Sequence, residues 1–446
     1  MNIFAYSKEK ANRLALNGVL LLVLWTTVNL LFTRVWSIFP GIIGFLGEGL
    51  LVLILGYVLL HPEIGQKHIW SKLKNPINFS FLLFVGFALI SMFLNNVPFA
   101  QGVFGVRALF QFVLLTIIIL MLDVPFKWVM TLFYSIVGMA LIQSIVGIGQ
   151  VVAGIPLPLS NMEERRSIAI GEEIRAFGFM DSSNTLAGFL LVAILLVALY
   201  VFMYRSEIPN KHKFIFAGIL AVMLIALTLT FSRQAFLALI GCLGLIGLLF
   251  RHNKMFRIML FVSLGLGVLF VIGYSLSLIF LEGFAQRNFY TFDFTRNYRV
   301  LMMIAGLQVF MFSPLIGAGP GMFGSNAAFV FDSPFHQFIH DMLPIIMTTV
   351  DNNALAVLVE YGIVGTALFV FMFWKIFRLM FSLSDSTNAS VRWLSVFVIT
   401  FGIAFLVMGT LSTAWENHPI SIFFWLFLGI VLNWYQNDKH EKTGEV

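Results

Sequence analysis

Long apolar runs constrain this chain more than any other feature of its sequence. A helix needs about 20 mostly apolar residues to cross a bilayer, and runs of about that length recur along the whole chain. The runs are 14–33, 39–60, 77–95, 103–122, 128–152, 184–204, 214–230, 234–250, 257–280, 354–377, 393–411 and 419–434. We therefore predict an all-α, polytopic integral membrane protein with about 12 transmembrane helices, which forms a single membrane domain over residues 1–446.

The composition agrees with this interpretation. Charged residues make up 11% of the chain and hydrophobic residues 60%, whereas about 25% of the residues in soluble domains are charged. The net charge of +6 does not indicate nucleic-acid binding, because the basic residues are scattered singly between apolar runs. The chain's one cysteine, Cys242, lies inside an apolar run and can form no intramolecular disulfide.

The positions of lysine and arginine predict the orientation in the membrane. With the N-terminus in the cytoplasm, 18 of the 27 basic residues, including every lysine, fall in the segments on the cytoplasmic side. Such an excess of basic residues marks cytoplasmic loops. Because an even number of spans returns the chain to its starting side, we expect both termini to be cytoplasmic.

The nine basic residues on the outer side are all arginines. The planar guanidinium group binds two phosphate or carboxylate oxygens at once and does not lose its proton. Some of the nine could be ordinary loop residues, but a charge near an apolar run normally has a partner or a ligand. The nine are Arg34, Arg107, Arg165, Arg166, Arg175, Arg233, Arg287, Arg296 and Arg299.

Two outer segments are long. The first covers 153–183, and the second covers 281–353, between spans 9 and 10. Structureless loops beyond about 15 residues are uncommon unless they are functional or disordered. The second segment holds an apolar stretch over 298–312, which predicts a helix too short to span the membrane, and then a glycine-rich turn over 317–321. We expect it to fold back onto the outer membrane surface and to carry part of an active site.

Familiar catalytic motifs are missing from the sequence. It contains no HExxH, CxxC, Walker lysine loop or GxSxG pattern, and we predict neither a metal nor another cofactor. His336, His340 and Asp341 lie close together but lack further ligands. The turn that contains Gly319 and Gly321 could cradle a phosphate or could simply form a tight bend.

Four polar groups follow one another on the predicted outer side. In chain order they are Arg175 with Asn184, Ser232 with Arg233, Arg299 fifteen residues before Pro314, and Asp351-Asn352-Asn353. This order and spacing resembles the bacterial O-antigen polymerase and O-antigen ligase superfamily of membrane glycan-assembly proteins. The resemblance covers about residues 175–380.

The last group is the most specific. Ligases of this superfamily carry His followed by Asn, Ser or Gln, then nine residues and Gly-x-x-Gly; here Asp351, Asn352, Gly362 and Gly365 hold those positions. The family histidine is thought to deprotonate the acceptor hydroxyl, and a carboxylate within reach can do the same. The replacement of His by Asp favours a polymerase over a ligase. Asp351 could also simply cap the helix that follows it.

The resemblance implies a metal-independent, inverting glycosyltransferase of the bacterial cytoplasmic (inner) membrane. It would join polyprenyl-pyrophosphate-linked oligosaccharide repeat units on the outer face of that membrane, into O-antigen, capsule or exopolysaccharide. A chain-length regulator and a flippase would be its protein partners, and nucleic acid would not be one.

The resemblance also assigns roles to single residues. Asp351 would be the general base, and Arg233 and Arg299 would stabilise the pyrophosphate leaving group. The substrate-binding residues would be Arg175, Asn184, Ser232, Arg296, Asn352, Gly319 and Gly321.

Two alternatives stay open from the sequence. An O-antigen ligase would transfer the finished glycan from the lipid carrier to an acceptor. A flippase or transporter would also have about twelve spans, but such proteins usually show internal repeats and charged sites at the membrane midplane. The clearest mid-span acidic residue here is Glu48, to which, as to Arg107, the sequence assigns no role.

Overall fold

The computed structural model describes most of the chain as helix. The described residues are 8–30, 45–62, 64, 76–154, 169–170, 173–251, 261, 264–265, 298–335, 337, 350 and 352–443. In chain order the helices are α1 (Lys8–Leu30), α2 (Leu46–Leu60), α3 (Pro76–Leu94), α4 (Phe99–Phe110), α5 (Val113–Met121), α6 (Phe126–Ala153), α7 (Ser183–Met203), α8 (Asn210–Leu229), α9 (Arg233–Leu249), α10 (Tyr298–Phe312), α11 (Asn326–Val330), α12 (Asn353–Leu383), α13 (Ala389–Gly409) and α14 (His418–Thr443). The only extended pairing in these ranges is a short antiparallel hairpin of β1 (Ala169–Ile170) and β2 (Glu173–Ile174). The predicted all-α membrane fold is confirmed.

Eight of the described helices are long and apolar enough to cross a membrane. They are α1, α3, α6, α7, α8, α12, α13 and α14, and the bent pair α4–α5 would make a ninth. The predicted run 234–250 appears as the shorter helix α9. The described part of the run 39–60 forms α2, while residues 39–44 and most of the run 257–280 lie outside the described residues. The number twelve therefore stays a prediction.

The predicted run 103–122 is not one straight helix. It begins earlier, at Phe99, and breaks into α4 and α5, whose axes differ by 62°. The two halves form hydrogen bonds with different parts of the chain. Thr116 of α5 donates to the carbonyl of Trp425 in α14, whereas Gln101 of α4 donates to the carbonyl of Gly321 in the glycine-rich turn. The bend allows α4 to leave the bundle and pack on that turn.

The core of the bundle lies around α7, α13 and α14, most of whose side chains are buried. Aromatic rings fill the contacts between these helices. Phe189 of α7 stacks on Phe423 of α14 at a centroid distance of 5.6 Å, and Phe405 of α13 stacks on Phe424 at 5.4 Å. Such ring pairs stabilise a core beyond the area they bury.

One end of the bundle gathers segments that the lysine distribution assigns to the cytoplasm. Lys8 forms an ion pair of 3.1 Å with Asp123, and Trp434 donates to the carbonyl of Val124. Tyr204 and Ser390 share a hydrogen bond of 2.8 Å. We call the opposite end, which carries the predicted outer segments, the outer end.

Candidate active site

Segments that are far apart in the sequence meet at the outer end. Asn353 donates to Glu416 across 2.8 Å, and Asn417 donates to Thr185 across 2.7 Å. The backbone amide of Asn326 donates to Glu416 across 3.1 Å. These contacts join the beginnings of α7, α11, α12 and α14 in one cluster of hydrogen bonds.

The segment of one predicted arginine, Arg175, binds the tight turn between α8 and α9 that precedes another, Arg233. Arg175 Nε donates to the carbonyl of Thr230 across 2.8 Å, and the amide of Ala176 donates to the carbonyl of Leu229, also across 2.8 Å. Arg233, three residues after Thr230, is the first residue of α9. The segment of Arg175 is therefore docked against the turn that carries Arg233.

The same turn holds a buried serine hydroxyl. Ser232 is at the N-cap position of α9 but makes no side-chain capping bond. Its side chain is 1% exposed, and its hydroxyl has no hydrogen-bond partner among the described residues. Phe231, just before it, has a φ of 51°, a conformation that is uncommon outside glycine. The first amides of a helix attract anions, and here they lie beside Arg233 and this hydroxyl.

Two buried glutamines of α6 hold the turn that follows Arg175. Gln150 accepts from the amides of Phe177 and Gly178 and donates to the carbonyl of Gly178. Gln143 accepts from the amide of Phe179 across 2.7 Å. Buried main-chain groups are costly to leave unpaired, so the two glutamines keep this turn in one conformation.

The glycine-rich turn surrounds a carboxylate of the chain itself. Glu360, in α12, accepts from the amide of Gly321 and the amide of Phe323 at 2.9 Å each, and from the hydroxyl of Ser325 at 3.0 Å. Glu360 is 1% exposed. The amide of Gly321, predicted to face substrate, is thus occupied by an internal carboxylate.

The same turn pairs with a break in α12. Gly362 has a φ of 62° inside the helix, and the amide of Ile363 donates to the carbonyl of Pro314. The amide of Gly319 donates to the carbonyl of Glu360. Main-chain groups that the break would leave unpaired are therefore satisfied by residues of the turn.

Glu416 forms a second acidic position, in the link between α13 and α14. Its carboxylate accepts from Asn353 and from Asn326, one bond on each oxygen, and it is half-buried. Burial raises the pKa of Glu416 to about 7, and the two hydrogen bonds partly oppose this rise. Asn352 accepts from the amide of Leu355 and so caps α12.

Arg107 and Glu48 pair with each other. Their side chains meet at 2.6 Å and are 34% and 21% exposed, and the guanidinium lies 4.6 Å above the ring of Phe104. The two opposite charges, each in or near an apolar run, therefore compensate each other.

The structure describes only some of the predicted site residues fully. Arg175, Asn184, Ser232, Arg233, Asn352, Gly319 and Gly321 are all described, and Asn184 lies in the first turn of α7. Asp351 and Arg296 lie outside the described residues, and for Arg299 only the backbone, in α10, is described. The roles assigned to all ten residues stay predictions.

Sequence reasoning missed four polar side chains at this end. They are Gln143, Gln150, Glu360 and Glu416. A lone glutamate inside the apolar run of α12 was a usable signal for Glu360. Within the described ranges, no group of three or more His, Cys, Asp or Glu could hold a metal ion.

Comparison with known families agrees with this picture. The membrane-spanning helices make the chain an integral membrane protein. Residues 218–370, about a third of the chain, match the family model described as O-antigen ligase. The match includes Arg233, the glycine-rich turn and the spacing from Asn352 to Gly365, and it confirms the resemblance to the O-antigen polymerase and ligase superfamily. It indicates a protein of glycan assembly at a membrane. No curated protein matches the chain.

Proposed function

We propose that this protein is a polysaccharide polymerase that joins polyprenyl-pyrophosphate-linked repeat units on the outer face of the bacterial cytoplasmic membrane. The donor's lipid tail lies in the bilayer and its pyrophosphate is bound at the outer end. The acceptor is the free sugar end of another repeat unit, and its hydroxyl oxygen attacks the anomeric carbon of the donor.

The docking of Arg175 against the turn of Arg233 is the observation that carries this proposal. Arg175 binds this turn through its guanidinium group, and the turn itself carries the buried hydroxyl of Ser232 and Arg233, the first residue of α9. Each of these favours a phosphate oxygen. Together they suit a pyrophosphate better than an uncharged sugar.

Stabilisation of the leaving group is the main chemical task of such a site. The pyrophosphate gains negative charge as the glycosidic bond breaks, and fixed cationic donors lower the energy of that state. Arg175 and Arg233 supply such donors in the described part of the chain, and Arg299 is the third candidate. Asn184, Arg296 and Asn352 are the proposed contacts for the rest of the substrate, and Asp351 is the sequence's candidate for the general base. The amides of Gly319 and Gly321 bind Glu360, so the proposal gives these two glycines no substrate contact through their amides.

A ligase is the second candidate, because the family model that matches is described as O-antigen ligase. A ligase would use the same pyrophosphate contacts but transfer a finished chain to a different acceptor. Asp351 at the position of the family histidine supports the polymerase.

Deletion of the gene separates these reactions. Lipid-linked and surface glycans are extracted from the deletion strain and sized. If the protein is a polymerase, the deletion strain should lose long chains and keep single repeat units on the carrier or at the surface. Full-length chains stranded on the carrier would identify a ligase, and repeat units trapped on the cytoplasmic face would contradict both and favour a flippase.

Complementation with Arg233→Lys tests the pyrophosphate contact. Lysine keeps the charge but loses the planar fork, and the loss of one charge-assisted hydrogen bond, worth about 1.5–3 kcal/mol, predicts transfer that is about ten- to a hundredfold slower. Arg251→Lys, an exposed arginine just beyond the other end of α9, is the matched control and should restore full polymer length. Full-length polymer with Arg233→Lys would exclude the pyrophosphate role.

A further inference from the structure

Glu416 differs from Glu360, which also lies at the outer end, in what surrounds it. Glu360 is 1% exposed and receives three hydrogen bonds. Glu416 is only partly buried, and each of its oxygens accepts a single bond from an uncharged donor. A carboxylate oxygen has two acceptor positions, so each oxygen of Glu416 can accept one more hydrogen bond.

Asn353 ties Glu416 to the motif that contains Asp351. Its side chain donates to Glu416 and accepts from the amide of Trp415 across 2.9 Å, and its own amide donates to the carbonyl of Ser412. Glu416 is therefore joined to the first residue of α12, which directly follows the motif positions 351 and 352 in the sequence.

We propose that Glu416 accepts the proton of the acceptor hydroxyl in the transfer reaction, the step that the motif spacing assigns to Asp351. This inference rests on the proposed function. The hydroxyl proton passes to a carboxylate oxygen of Glu416 while the hydroxyl oxygen forms its bond to the anomeric carbon. The bond from that carbon to the pyrophosphate breaks, and its electron pair leaves with the pyrophosphate.

The surroundings of Glu416 suit a base that works near neutral pH. Among the described residues no lysine, arginine or histidine forms an ion pair with it. The ionisable groups near it are Glu360 and Tyr361 of α12 and His418 of α14, two residues further along the chain, with Asp351 outside the described residues. Burial raises the pKa of Glu416 to about 7, and a base is most effective when its pKa lies near the working pH.

The test is the pH dependence of transfer by the full-length protein in lipid nanodiscs. The substrate is the lipid-linked saccharide extracted from the deletion strain, and rates are measured from about pH 5.5 to about pH 8.5. The wild-type rate should rise with pH, with a midpoint near the pKa of about 7, because only the deprotonated carboxylate can accept the proton. Glu416→Gln should lower the maximal rate about a hundredfold or more and abolish this rise, whereas Asp351→Asn should keep it. Glu207→Gln, exposed in the link between α7 and α8, should behave as wild type.

If Glu416→Gln does not fold, a second variant, Asn353→Asp, still tests the role of Glu416 as the base. Asn353→Asp retains an oxygen for the amide of Trp415 but replaces the donor to Glu416 by a second carboxylate oxygen. The midpoint should then move upward by about one pH unit or more. A purely structural role for Glu416 predicts no such movement.

Several results would overturn the inference. They are a wild-type rate without a rise near pH 7, a rise that survives Glu416→Gln, a rise that Asp351→Asn removes, and an unmoved midpoint in Asn353→Asp. If Arg233→Lys slows the same reaction while Glu416→Gln keeps the rise, the proposed function stands and this inference alone fails. If the wild-type protein makes no polymer from the extract, the proposed function itself fails.

Discussion

Replacement of Gln150 by leucine should release the turn that follows Arg175. Gln150 is 4% exposed, and its side chain pairs with three main-chain groups, the amides of Phe177 and Gly178 and the carbonyl of Gly178. Leucine fills a similar volume but pairs with none of them. At about 1 kcal/mol for each lost hydrogen bond, opening of the turn becomes easier by about 3 kcal/mol, which is about a hundredfold in the opening equilibrium.

Amide hydrogen exchange, read by mass spectrometry with fragmentation at single-residue resolution, measures this opening directly. The amides of Phe177 and Gly178 should exchange about a hundredfold faster, while the amide of Ala176 keeps its bond to the carbonyl of Leu229 and should change less. Gln111→Leu is the control, since Gln111 is 6% exposed but lies at the break between α4 and α5. Unchanged exchange at Phe177 and Gly178 would refute the reasoning.

Two further predictions concern stability. Gly321→Ala should lower the midpoint of thermal unfolding, because φ is 75° and the new Cβ would lie 2.7 Å from the carbonyl oxygen of Gln101; Gly241→Ala, with no atom within 4 Å, should not lower it. In a double-mutant cycle of Arg107→Ala and Glu48→Gln, the free energies of unfolding should show a coupling of about 1 kcal/mol, modest because both side chains are partly exposed. Strictly additive effects would show that the pair contributes no net stability.

The helical framework was largely predictable because apolar runs of spanning length determine it. The short helix α10 over 298–312 was also predicted with its bounds. The bend between α4 and α5 was not, because its cause lies elsewhere in the chain. Gln101 binds the carbonyl of Gly321, and a Cβ on Gly105 would strike the main chain of that turn. Contacts over such sequence separations leave no periodic signal in α4.

The candidate site was predictable only where a motif marks it. Arg175 and Arg233 were found by their order along the chain, and the structure places their segments in contact. Gln150 and Glu360 have no motif, because most of their partners are main-chain amides that every residue type carries. The glycine-rich turn left two interpretations open, and in the structure its amide at Gly321 binds Glu360.

The carboxylate of Glu360 also has a consequence for biosynthesis. Its three donors belong to residues 321–325, which the ribosome completes before it reaches α12. Placing a carboxylate on an otherwise apolar helix into a bilayer costs free energy. Here the residues that donate hydrogen bonds to this carboxylate are synthesised before it. If the gene were split between codons 325 and 353, the second fragment would carry Glu360 without its donors, so its stable insertion would depend on the first fragment being present.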